Sequence, residues 1–127
     1  MTWREWIFPK LALSVGVSNV HSGGSLTIPP AVKPYIVYRL QARTPMLKDD
    51  SEAVKLSTVA EIWAYDDAGS YDRIDEILTE VRAQLVGQVS EPGKTCCEWS
   101  GDSGELFDDQ MKAITRNSTF LLIGAAE

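Results

Sequence analysis

Ser103, in Gly101-Asp102-Ser103-Gly104, is the side chain whose setting most directly suggests chemistry. Small flanking residues would let backbone N–H groups beside a serine stabilise an oxyanion. The chain's one histidine, His21, lies upstream with carboxylates in between. Three acidic pairs, Asp49-Asp50, Asp66-Asp67 and Asp108-Asp109, could offer oxygens to Ca²⁺ or Mg²⁺, and Asp102, Glu105, Asp108 and Asp109 cluster most closely. Cys96-Cys97 could supply a thiolate.

Each of these has a plainer reading. GDSG resembles the nucleophile motif of chymotrypsin-like proteases, but 127 residues are too few for the two β-barrels that hold such a triad. Glu105 stands where that family has a further glycine, and Asn19-Val20-His21-Ser22 lacks its alanine-rich lead-in and following cysteine. An acidic turn is the expectation, and a small serine hydrolase using Ser103 the disfavoured alternative. The carboxylates lack the one-residue spacing, central glycine and terminal glutamate of a calcium loop, so solvated acidic loops are expected, with no metal and no other cofactor. His21, among Gly and Ser, reads as an exposed loop residue. Neighbouring cysteines have Cα atoms about 3.8 Å apart, below the disulfide range, so they are poor partners for each other. Asn117-Ser118-Thr119 matches a glycosylation acceptor, but no secretory leader is read at the start of the chain, so the match is taken as chance. Gly23-Gly24 is too short for a phosphate-binding loop. The residues point to a protein that is not an enzyme.

Composition agrees. A net charge of −6 and a pI near 4.7 give no electrostatic reason to grip a phosphate backbone. Hydrophobic residues at 44% suffice for one core, and the uncharged runs are shorter than the ~18–20 residues of a membrane span. One domain over residues 1–127 is expected.

The elements that must position these residues are led by Val59 to Gly87, read as a strand, an acidic turn and an amphipathic helix. From Ser70, a good N-cap, Ile74, Ile77, Leu78, Val81 and Leu85 recur at helical spacing. Burying them fully is worth roughly 7–15 kcal/mol as an upper bound. Asp72, Asp75 and Glu76 suit the first turns, and Gly87 the stop. Residues 3–14 read as a short helix with Trp6, Ile7, Lys10, Leu11 and Leu13 on one face, kinked or broken at Pro9. Residues 15–33 read as a short extended piece at 17–20 and a Gly- and Pro-rich loop. Strands are expected from Pro34 to Arg43 and over 55–65, the Ala60/Ile62/Ala64 face lying against the helix. Residues 44–54 read as a polar connection, 95–99 as a short strand and 100–111 as an acidic loop with a helical turn near Leu106 to Met111. A last strand spans 112–123. The expected fold is α+β, with a largely antiparallel four-stranded sheet packed against one main amphipathic helix plus a short N-terminal helix.

Four segments together add a family resemblance: PPAVKPYIVYRL (29–40), VAEIWAYDDAGSYDRIDEILTEVRAQLVG (59–87), WSGDSGELFDD (99–109) and ITRNSTFLLIG (114–124). With the opening TWREWIFPKL, the chain resembles the tail terminator, or tail-completion, proteins of long-tailed phages, those of actinobacteriophages above all. The resemblance implies a subunit of a hexameric ring that caps the tail tube, ends its elongation and forms the surface joining the head–tail connector. Its place would be the virion, at the head–tail junction, after assembly in the host cytoplasm. The implied partners are further copies of itself, tail tube protein and connector protein. DNA would pass through without specific binding, and no membrane is involved. A head-completion ring of the connector is the alternative. Sheet edges and the two polar loops are the expected interfaces, with Lys48, Asp49 and Asp50 in one loop and Asp102 and Glu105 in the other. The outer strand face carrying Trp63 and Tyr65 is a further candidate.

Overall fold

Two helices lie on one face of a twisted sheet, and their burial follows from sequence spacing. The computed structural model describes residues 3–16, 19–23, 33–41, 44–46, 55–67, 69–86 and 94–124. In α1, Trp3–Val15, the side chains of Trp3, Trp6, Ile7 and Leu11 are buried along one stripe. Pro9 does not end this helix. It sits on the exposed side with Glu5, whose carbonyl loses its helical donor to the proline ring but can reach water. Leu13, expected on the buried face, is 65% exposed.

In α2, Asp72–Leu85, Ile74, Ile77, Leu78, Val81 and Leu85 are the buried residues, as their spacing requires. The helix begins two residues after the expected cap. Ser70 still accepts the Asp72 N–H through Oγ at 3.1 Å, which satisfies one otherwise unpaired donor.

The strands are β1 (Val20–Ser22), β2 (Tyr35–Leu40), β3 (Thr44–Met46), β4 (Lys55–Asp66), β5 (Lys94–Asp102), β6 (Leu106–Asp108) and β7 (Ala113–Gly124). Their spatial order is β1-β2-β4-β7-β5, with β3 on β4 and β6 on β7. The expected four-stranded, largely antiparallel sheet with one main helix is therefore wrong. Among the described residues the sheet has seven strands, β1 and β2 run parallel, and α1 is nearly as long as α2. The helical turn expected near Leu106 to Met111 is instead β6 and a turn into β7, and β5 runs on through Asp102.

Strand alternation then divides the side chains between two faces. Ile36 and Tyr38 of β2, Ala60, Ile62 and Ala64 of β4, Cys97 of β5, and Ile114, Phe120 and Leu122 of β7 join the helices in the main core. Tyr35, Val37, Glu61, Trp63, Tyr65, Asn117 and Thr119 belong to the opposite, open face by register. Small Ala60 and Ala64, both fully buried, let α2 approach the sheet closely. No helix among the described residues is long and apolar enough to cross a membrane.

Candidate interaction surface

The residues proposed for chemistry do not meet. His21 stands on β1 at one edge of the sheet and Ser103 follows β5 at the other, with β2, β4 and β7 between them. Four strand spacings amount to about 19 Å, far beyond hydrogen-bond reach. Ser103 has a structural task instead. Its N–H donates to the Asn117 carbonyl at 2.9 Å, and its Oγ accepts the Asn117 N–H at 3.0 Å. The Arg116 Nε–H donates to its carbonyl at 3.0 Å. Together these bonds hold the chain to β7 just past a register shift between Trp99 and Gly101, where Gly101 has φ +139°. His21 packs edge-on against Tyr35, at 5.9 Å and 80° between rings.

The acidic pairs are also divided. Asp66 is buried and paired with Arg73, while its neighbour Asp67 points outward to Lys33 at 3.3 Å. Asp108 Oδ1 accepts the N–H groups of Gln110 and Met111, each at 3.0 Å, and so shapes the turn before β7. Asp109 is exposed beside it. Among the described residues no three His, Cys, Asp or Glu side chains gather as metal ligands would. Cys97 is buried in the main core. Lys48, Asp49 and Asp50 lie outside the described residues.

The interface candidates within the described residues occupy two places. On the open face, Trp63 is half-buried between its cross-strand neighbours Val37 and Asn117. Tyr65, two residues on, is buried rather than presented: its ring stacks on Tyr35 at 4.9 Å and 9°. The Tyr65 hydroxyl donates to Asp108 Oδ2 at 3.3 Å. Burial, then the charge of Asp108 and the hydrogen bond to it, push the Tyr65 phenol up to about 12, although Thr115 pulls the other way. Burial and the neighbouring Tyr65 and Asp108 raise Tyr35 as well. Also on this face, Glu61 accepts hydrogen bonds from Arg39 and Gln41. Partial burial disfavours its charge, but those bonds and the Arg39 cation outweigh burial and hold the carboxyl low.

The second place lies where α2 passes over β7 and β5. Asp102 Oδ1 accepts from the Trp99 indole N–H at 2.9 Å and from the Ser118 hydroxyl. Arg116 pairs with Asp75 of α2, and the Arg82 guanidinium lies 4.3 Å above the Trp99 ring. Asp75, Arg82, Asp102, Arg116 and Ser118 line a cleft of about 210 Å³. Two arginines and two aspartates balance its charge, so it behaves as a clasp between helix and sheet. Glu105 is exposed in the connection to β6. Most of these side chain–side chain links join residues far apart in the chain and carry no local sequence signal; Trp99 and Asp102, three apart, and Asp66 and Arg73, seven apart, are the nearest pairs.

No family model matches the chain, and no curated protein matches it. Among solved structures, a chain of one described as the virion of native gene transfer agent (GTA) particle has a TM-score of 0.71 to this chain. The match covers 97% of this chain and 94% of that one at 14% sequence identity, so the two proteins share a fold over nearly their full lengths.

Proposed function

We propose that the protein is a structural subunit of a phage-like virion, and within it the tail terminator: a ring that caps the tail tube, ends its elongation and joins it to the head connector. The observation that carries the reading is the near-complete fold correspondence with a chain of a virion particle. The segments that resemble tail terminators extend it to the finer role. The geometry is that of a scaffold, with carboxylates, arginines and the Ser103 hydroxyl engaged in holding strands and helix together. Contacts with neighbouring subunits, tail tube protein and connector fall on the open face around Trp63, with Tyr65 bracing it from within, and on the Asp102–Glu105 segment. The 44–54 segment with Lys48, Asp49 and Asp50 belongs to the same proposal. The ring lets DNA pass without specific binding, which the net negative charge favours.

Light scattering and negative-stain imaging of the purified chain, alone and with polymerising tail tube protein, test this. Six-fold rings, and tubes that shorten as the chain is added, are expected. A chain that neither forms rings nor changes tube length overturns the reading. Rings that bind connector but ignore tubes make it a head-completion protein instead.

A further inference from the structure

β5 and β6 lie end to end along one side of β7, and no described strand flanks them. Alternate backbone N–H and C=O groups along this composite edge therefore point away from the sheet. The same edge concentrates exposed apolar surface. Of the five large apolar side chains exposed among the described residues, Trp99, Leu106 and Phe107 sit here, at 43%, 44% and 54%. Trp99 is immobilised between the Arg82 guanidinium and the Asp102 carboxylate. An aromatic already fixed in place loses little freedom on docking, which is the property of an interface anchor. Glu105 and Asp109 flank β6 in sequence, both are exposed, and neither is in an ion pair among the described residues.

The opposite edge is its complement. Among the described residues β1 ends the strand order on that side, and Arg4 of α1 projects there, donating to Ser22 Oγ at 3.0 Å and lying 5.5 Å from the Tyr38 ring centre. Arg4 is exposed and has no carboxylate partner among the described residues. We propose that the β5–β6 edge of one copy docks on the β1 edge of the next, with Trp99, Leu106 and Phe107 at the centre and Arg4 facing Glu105 and Asp109. A head-to-tail contact with a second copy suits better than self-pairing of like edges, which would set Glu105 and Asp109 against themselves. Contacts between two different edges repeat head to tail, and a constant rotation closes them into a ring. The contact covers the outer sides of β5 and β6 on one copy and of β1 on the next. It rests on the ring reading above and names the surfaces that make the ring.

Charge reversal tests it, with circular dichroism confirming that each variant folds. Arg4→Glu alone, and Glu105→Lys with Asp109→Lys alone, should each weaken assembly by at least about tenfold in sedimentation velocity, because like charges then face each other. An equal mixture of the two variants should recover assembly, since alternating copies restore opposite charges at every contact. Phe107→Ser should weaken assembly with no recovery on mixing. Rings of the wild-type chain that both charge variants also form, or a mixture that stays dissociated, overturn the contact while leaving the ring. A wild-type chain that remains monomeric at every concentration, with or without tail tube protein, overturns both.

Discussion

Arg73, one residue into α2, reaches back to Asp66 at the end of β4, with Nε 2.8 Å from Oδ2. The same carboxylate accepts the Asp67 N–H at 2.8 Å. This relationship fixes the direction in which the chain leaves the sheet and enters the helix. The Arg73 hydrogen bonds outweigh the burial that opposes them and, with the Asp67 N–H and the Arg73 and Lys33 charges, hold Asp66 below the usual carboxylate range. Because the folded value is depressed, its contribution to stability is present above the unfolded carboxylate value near ~4 and is lost as pH falls through the folded value. Asp66→Asn should cost about 1–3 kcal/mol at neutral pH. Denaturant curves should show that deficit shrinking in acid. A deficit unchanged by acid would mean that the charge contributes nothing.

Tyr65 gives the opposite limb. Its phenol is raised to about 12, so the stabilisation is full below the unfolded value near ~10 and disappears as pH climbs through the folded one. Tyr65→Phe keeps the stack with Tyr35 but loses the hydrogen bond to Asp108, a cost of about 0.5–1.5 kcal/mol at neutral pH. Its urea midpoint should then fall less steeply than that of the wild type in alkaline buffer. Parallel alkaline slopes for the two proteins would assign the pH sensitivity elsewhere.

Ser103 should behave as a fastener. Ser103→Ala removes the oxygen that accepts the Asn117 N–H and should lower stability by about 1 kcal/mol. The wild-type protein should not be labelled by a serine-directed fluorophosphonate. Stoichiometric labelling that vanishes in the alanine variant would restore the nucleophile reading.

The legible parts of the fold were those with long periodic patterns. The five buried residues of α2 and the Ala60/Ile62/Ala64 face could be read because repetition over several turns or alternations outweighs local exceptions. β1, β3 and β6 have three residues each, too few for a period, and pairing with a longer neighbour determines them. Leu106 and Phe107 sit between acidic residues and so read as loop, although their backbone joins β7. Pro9 was expected to disturb α1 because proline removes a helical donor; which side of the helix it occupies decides the cost. The site was less legible than the fold. Trp63 and Tyr65 alternate as neighbours on one strand face, yet the stack with Tyr35 that buries the second depends on strand register, which no local pattern reveals.

The place of β7 in the sheet has a consequence for the order of events during synthesis. Residues 113–124 come last among the described segments, yet they lie between β4 and β5 and pair with β4 over ten positions. Until the ribosome has released them, β4 lacks one neighbour and β5 has none from this sheet. The hydrophobic face prepared for α2 then misses Phe120 and Leu122, so the growing chain exposes strand edges that another chain could capture. Slow passage through that interval should favour aggregation, and rapid delivery of the final strand should favour the closed sheet.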